Sequence, residues 1–382
     1  MTLDLPDTGT FVGRIWDPAI EGPRLVLRDG DRVRDLTSAR HPTLQALLEA
    51  EAPAETAREA AGRDLGSVAE IVANSSENPD PARPYLLAPC DLQPIKACGV
   101  TFVSSMLERV IEEKAKGDPS KAEAIRRRCT EILGDSLRSV VPGSEKAESL
   151  KQVLIAEGVW SQYLEVGIGP YAEVFSKSQA MSSVGFGAAI GLHPISTWNN
   201  PEPEIVLAID SLGRPKGATL GNDVNLRDVE GRSALLLGKA KDNNASCAIG
   251  PMLRLFDDSY TMDDVRRAEL TLRVTGPDGF VLDGASSMAE ISRDPEDLVA
   301  ATYGAHHQYP DGFMLMLGTL FAPTQDRDTP GEGFTHKLGD LVEISTPDLG
   351  RLANTVRLST ECPPWTFGTS ALMKNLAARD LI

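Results

Sequence analysis

Glu202-Pro203-Glu204-Ile205-Val206-Leu207-Ala208-Ile209-Asp210 is the stretch on which the reading of the fold turns. Its aliphatic, partly β-branched run predicts a strand. Side chains at i and i+2 of a strand share a face, so Glu202 and Glu204 converge on one side. A like-charged pair is costly to bury unless something positive neutralises it. Standing alone, such a pair is most often a solvated strand face.

Around this strand the apolar period is two from residue 164 onward. Glu269 to Val274 and Phe280 to Leu282 flank Gly276-Pro277-Asp278-Gly279, a hairpin signal. Phe313 to Leu317 and Leu341 to Ile344 read as further strands. Nearer the N-terminus, Phe11 to Trp16, Leu25 to Leu27 and Val33 to Leu36 read as short strands, with Asp29-Gly30 as a hairpin turn. A helix is expected from about Thr43 to Glu49, and Asn74 to Pro81 reads as a loop. A strand ends at Cys98-Gly99-Val100, and helices dominate 105–157. Ser105-Met106-Leu107-Glu108 and Ser120-Lys121-Ala122-Glu123 have capping-box spacing, and a third helix is expected from about Ser144 to Glu157. Strands without regularly alternating helices argue against a doubly wound parallel sheet. The expected class is α+β, a body built around a β-rich roll. A boundary near residue 85 divides a small N-terminal α+β domain, rich in β, from a main body over 86–382.

Composition narrows the function. The 382 residues are 41% hydrophobic and 24% charged, the balance of a soluble globular protein. The net charge of −17 repels phosphate backbones and anionic membranes, so neither nucleic acid nor membrane is expected as a partner. The basic cluster Arg126-Arg127-Arg128 reads as a solvated helix face. Five scattered cysteines form no C-x-x-C pair, which argues against disulfides and a thiolate zinc site and fits a cytoplasmic location. No signal peptide is legible at the N-terminus, and no apolar run is long enough for a membrane helix.

Some twenty residues after the strand comes Gly221-Asn222-Asp223-Val224-Asn225-Leu226-Arg227-Asp228, which reads as a turn aiming Asp223 inward. Carboxylate oxygens suit a hard cation, Mg²⁺ first, with Mn²⁺ or Ca²⁺ as alternatives. The order Glu202-x-Glu204, then Asn222 to Asp228, Lys241 and Ile249-Gly250-Pro251 resembles the fumarylacetoacetate hydrolase superfamily. Tyr171 to Gln179 is similar to the family's segment carrying a fourth acidic ligand. Gly312 to Thr319 and Lys337 to Ile344 are similar to its closing strands. The resemblance covers roughly residues 90–356.

The resemblance implies a β-sandwich roll, a homodimer or dimer of dimers, and 2-oxo acid substrates chelated through carboxylate and carbonyl. It implies Glu173, Glu202, Glu204 and Asp223 as metal ligands. Lys241 and Arg227 fall where the family holds the substrate's carboxylate and oxyanion, and Gly318-Thr319 at a substrate-carboxylate contact. Lys177 matches a lysine of many bacterial relatives and is expected with Ser105 among the substrate-binding residues.

Departures from the family select the reaction. Hydrolytic members place an imidazole at the equivalent of Ala180 or of Ser105, paired with a glutamate equivalent to Glu108. Neither position is histidine here, so general-base attack of water on a C–C bond loses its obvious agent. His41, His193, His306, His307 and His336 remain; His336, which follows the Gly318-Thr319 strand end, is the one considered within reach of the site, and a surface or structural role is the commoner reading for it. Val100 to Arg109 and Gly318 to Pro323 look most like the branch that dehydrates 2-keto-3-deoxypentonates to 2,5-dioxopentanoate. In that reading Glu108 is acid–base, Lys241 stabilises the enolate or carries a proton, and Arg227 and Thr319 position a small 2-oxo sugar acid. The alternatives are a metal-dependent hydrolase of a 2,4-diketo acid, an oxaloacetate decarboxylase or tautomerase, and a non-catalytic sugar-acid-binding protein.

Overall fold

The computed structural model describes residues 1–116, 118, 120–122, 124, 125, 127, 140–156, 158, 160–319, 321, 323, 325–331 and 333–382. Arg126 and Arg128 of the basic cluster, Glu123 of the second cap, and residues 320 and 322 lie outside the described residues.

The strands are β1 (Phe11–Asp17), β2 (Gly22–Asp29), β3 (Arg32–Asp35), β4 (Asp64–Ser67), β5 (Tyr85–Leu87), β6 (Ile95–Gly99), β7 (Glu173–Ser178) and β8 (Ala189–Leu192). They continue with β9 (Pro203–Ile209), β10 (Pro215–Asp223), β11 (Cys247–Leu255), β12 (Glu269–Thr275), β13 (Val281–Ser287), β14 (Phe313–Met316), β15 (Leu341–Thr346) and β16 (Gly350–Leu358). A large sheet runs in the order β4-β3-β2-β1-β11-β10-β9-β14-β6-β7, with β5 pairing β1 off that path. A second sheet runs β13-β12-β15-β16-β8. Most pairs are antiparallel; β14–β6 and β16–β8 are parallel.

The unbroken apolar run of β9 now has its reason. Flanked by β10 and β14, every residue of β9 is buried, as a strand covered on both faces demands. In β12, buried and exposed residues alternate, the mark of a strand with one wet face. One core joins the sheets: Ile205, Leu207 and Leu220 from the large one share a cluster with Leu272, Val342 and Leu352 from the small one. The strands before residue 85 join the large sheet through the β1–β11 pairing, so that boundary is not a break between sheets.

Several local expectations are corrected. Gly221–Asp223 is not a turn but the end of β10, where Gly221 pairs with Glu204 and Asn222 with Pro203. Cross-strand register, not turn geometry, therefore places Asp223 beside the glutamates. Ser105 does not cap a helix. The Val103–Ala115 helix begins earlier, after Phe102 in extended conformation, and Ser105 lies within its first turn. Residues 51–82 hold the Pro53–Glu59 and Val68–Asn74 helices and β4. The second helix carries a capping box, Ser67 with Glu70, that the sequence displays.

Candidate metal centre

Glu202 stands just before β9, Glu204 within it, and Asp223 ends the neighbouring β10. One carboxylate oxygen from each lies within 4.8 Å of the others, and all three residues are buried. Glu173, opposite Gly99 in the β6–β7 register, lines the same cavity but stands outside that three-residue cluster. A Cβ on Gly99 would come 2.0 Å from Glu173 Oε2, so the missing side chain makes room for the carboxylate.

Buried carboxylates need compensation. Lys241 Nζ lies 2.5 Å from Glu202 Oε2 and 3.1 Å from Asp223 Oδ2. Lys177 Nζ lies 2.7 Å from Asp223 Oδ1. Arg109 Nη2 is bonded to Glu202 Oε1. Glu204 is different. The Gly318 N–H donates to its Oε2 at 2.7 Å, and no side-chain cation pairs with it among the described residues. Burial, then the neighbouring Asp223 and Glu202 charges, push its carboxyl well above the usual range. Burial also raises Glu173, against the pull of Arg109 and Lys241. For Asp223, Lys177 and Lys241 outweigh burial and hold the carboxyl down. Three converging hard-oxygen donors, one without a cationic partner, fit a divalent cation such as Mg²⁺.

Lys241 does not have the depressed pKa of a lysine base. Burial opposes its charge, but Asp223, Glu202 and Glu230 overcome that and raise its pKa. Its contacts are those of an ammonium donor to Glu202 and Asp223. Lys177 is fully buried, donates to the Val224 carbonyl at 3.1 Å and the Lys241 carbonyl at 2.5 Å, and is not among the cavity-lining residues. Its place is behind Asp223 rather than against a substrate.

Arg227 pairs with neither Asp228 nor Glu230. Its Nε lies 2.7 Å from Glu112 Oε1 and its Nη2 3.1 Å from Glu108 Oε2, and the guanidinium stacks 4.3 Å from the Trp198 ring centre. Arg227 thus ties the Arg227–Glu230 helix to the Val103–Ala115 helix. Asp228 instead accepts from Ser196 and from the Thr197 N–H. Glu108, Ser105 and Thr319 line an adjoining recess that also reaches Glu202. The Phe321 N–H donates to Thr319 Oγ1 at 3.0 Å.

No histidine lines the cavity or the recess among the described residues. His336 is fully buried against Asp340, with Nδ1 and Oδ2 3.1 Å apart, and burial lowers its pKa. It is a core histidine. Ala180 lies in a separate surface groove beside Trp365 and the start of the Thr369–Ala377 helix.

Three residues at the candidate site were not singled out from the sequence. Arg109 also lies 2.7 Å from Glu112 Oε2 and 3.1 Å from Glu230 Oε2. Glu112 bridges Arg109 and Arg227. Glu230 lines the cavity, and burial pushes its carboxyl up to about 7 despite the opposing pull of Arg109. The available signal was the i, i+3 and i, i+4 spacing of Glu108, Arg109 and Glu112 on one helix.

Residues 216–357 match the family model described as Fumarylacetoacetate (FAA) hydrolase C-terminal. The resemblance carried by Asn222–Asp228, Lys241, Ile249–Pro251 and Gly318-Thr319 falls inside this FAA hydrolase span; Glu173, Glu202 and Glu204 precede it. A probable 2-keto-3-deoxyxylonate dehydratase of Haloferax volcanii is 30% identical over 194 residues, 51% of this chain and 63% of that protein. A 2-dehydro-3-deoxy-D-arabinonate dehydratase of Saccharolobus solfataricus is 29% identical over 188 residues, 48% of this chain and 58% of that protein. The chain thus spans about three fifths of the length of these curated relatives. Among solved structures, a 2-keto-3-deoxy-D-arabinonate dehydratase complexed with magnesium and 2,5-dioxopentanoate superposes with a TM-score of 0.64 at 20% identity. The superposition covers 91% of this chain and 99% of that one. A fumarylacetoacetate hydrolase from Exiguobacterium antarcticum superposes with a TM-score of 0.53 at 14% identity, over 91% of this chain and 99% of that one. At these identities the likeness is one of fold: mixed sheets with helices, the FAA hydrolase-like α+β arrangement.

Proposed function

We propose that this chain is a Mg²⁺-dependent hydro-lyase that converts a 2-keto-3-deoxypentonate to 2,5-dioxopentanoate. The observation that carries the reading is the buried Glu202–Glu204–Asp223 cluster beside a recess with Ser105 and Glu108 but no imidazole. Two relatives named as dehydratases of such acids support the choice of substrate.

Glu202, Glu204 and Asp223 would hold the cation, with Glu173 as the fourth carboxylate at the cavity wall. Mg²⁺ bound there supplies positive charge that polarises a C2 carbonyl and acidifies the C3 protons. The residues of the chain do the rest. Lys241, as an ammonium donor, orients the substrate's carboxylate end and stabilises negative charge developing on its keto oxygen. Glu108, held by Arg227, faces the recess as the acid–base group. One C3 proton and the C4 hydroxyl leave together as water, giving a C3–C4 double bond, and one C5 proton and the C5 hydroxyl proton then move to C3 and C4, leaving the C5 aldehyde. Thr319 and Gly318 bound the substrate on the β14 side. Lys177 fixes Asp223, so its role is positioning.

The same reading takes the two sheets as the family's β-sandwich roll, with residues 1–85 as a smaller N-terminal unit contributing β1 to β4. It also takes the assembly as a homodimer or dimer of dimers and the location as cytoplasmic. No helix among the described residues is long and apolar enough to cross a membrane.

The test is a comparison of two substrates with purified protein and Mg²⁺. The dehydratase reading expects semialdehyde from the 2-keto-3-deoxypentonate and no pyruvate from an acylpyruvate. Pyruvate from the second without semialdehyde from the first makes the protein a C–C hydrolase. Mg²⁺ binding without turnover of either makes it a binding protein.

A further inference from the structure

Glu202 has two carboxylate oxygens, and both already carry a cationic partner. Oε2 meets Lys241 and Oε1 meets Arg109. A divalent cation ligated by Glu202 must therefore share or displace one of them. The two partners differ in what else they hold. Lys241 also pairs with Asp223, a second candidate ligand, so moving it disturbs the cluster. Arg109 has two further carboxylates within reach that are not candidate ligands: Glu112 Oε2 at 2.7 Å and Glu230 Oε2 at 3.1 Å from its Nη1. A planar guanidinium with five donors can give up one acceptor and keep the others.

We propose that Arg109 is a positioning residue that yields Glu202 to the divalent cation and thereby couples cation binding to the docking of the Val103–Ala115 helix. The Arg109–Glu202 bond ties that helix directly to the β9 edge of the site. The remaining ionic ties, Arg109 to Glu230 and Arg227 to Glu108 and Glu112, hold it to the Arg227–Glu230 helix, while Met106, Val110 and Ile111 pack in one apolar cluster with Leu164 and Ile168. When Arg109 gives up Glu202 and keeps Glu112 and Glu230, the helix loses its direct tie to the acidic cluster and keeps the others. Ser105, Glu108 and Arg109 all lie on this helix and all line the recess, so the cation's arrival changes how the recess is closed. The inference rests on the metal-centre reading above.

The test is Mg²⁺ titration calorimetry on the full chain, paired with amide hydrogen exchange across residues 103–115 with and without Mg²⁺. Arg109→Gln removes the competing charge, and Arg109→Lys keeps the charge without the fork. The expected results are binding about tenfold tighter in Arg109→Gln than in wild type and near wild-type affinity in Arg109→Lys. Exchange in the helix is expected to rise on Mg²⁺ addition in wild type only. The wild-type exchange measurement needs no variant to fold. Wild-type binding with equal affinity in Arg109→Gln and unchanged helix exchange overturns the coupling and leaves the metal centre standing. No Mg²⁺ binding in wild type overturns the metal-centre reading, and the coupling with it.

Discussion

Gly318 shows how closely chain segments meet at the acidic cluster. Its φ is +95°, and a Cβ would sit 2.0 Å from Thr101 Oγ1. Its N–H is also the polar partner of Glu204. Gly318→Ala is therefore expected to cost more than about 1 kcal/mol, because an L side chain is strained at that φ. Urea denaturation reads the loss, and a midpoint equal to wild type contradicts it. At this scale the sequence showed a good deal. The i, i+2 spacing put Glu202 and Glu204 on one face, and the motif order brought in Asp223. It did not show that Lys177 supports Asp223 from behind or that Glu230 lines the cavity. Those depend on which way a side chain points once distant strands are paired, and local spacing carries no such information.

The Val103–Ala115 helix has no side-chain cap; the apolar packing of Met106, Val110 and Ile111 and a network of charges hold it. Glu108, Arg109 and Glu112 face Arg227 and Glu230, and nearly all of this network is buried. Removing one member of a buried ionic network leaves the others uncompensated, so Arg227→Gln should destabilise by about 3–5 kcal/mol. Chemical denaturation checks this, and a change below about 1 kcal/mol rules out the tying role. The helix start was misread because Ser105 and Glu108 have capping-box spacing, yet the helix enters from β6 through Phe102, and the pair falls inside it. A second element-scale network joins His336, Asp340 and Arg327. His336 has a folded-state pKa below its unfolded 6.5, because burial disfavours the imidazolium. The unfolded chain then binds the proton first on acidification. The contribution of His336 is present above 6.5 and lost as pH falls through the lower folded value. Wild type should lose more stability than His336→Gln between about pH 7 and pH 5 in urea titrations. Parallel pH profiles contradict the assignment.

On the scale of the whole molecule, the large sheet brings β6, β7, β9, β10 and β14 side by side, and their ends supply the cavity. The sequence predicted most of these strands but not their order. The parallel β14–β6 pairing joins residues more than two hundred apart, and periodicity within a strand says nothing about its neighbour. The N-terminal strands were expected to form a small domain of their own; what the sequence did not show is that β1 pairs with β11 in the large sheet. A cation that binds only the folded chain stabilises it by mass action, by about 2.7 kcal/mol at a hundredfold excess over its dissociation constant. The melting temperature should therefore climb with Mg²⁺ and fall back with EDTA, and the response should vanish in Glu202→Ala. A melting temperature indifferent to both additions contradicts a metal centre.

The most direct measurement of the central claim is semialdehyde formation from 2-keto-3-deoxypentonate at saturating Mg²⁺, by wild type and by Asp223→Asn. Wild type should form 2,5-dioxopentanoate, and the variant should do so about a hundredfold more slowly or worse, equivalent to about 2.7 kcal/mol of lost transition-state stabilisation. No semialdehyde from wild type, or equal rates from the two proteins, contradicts a dehydratase built on this carboxylate cluster.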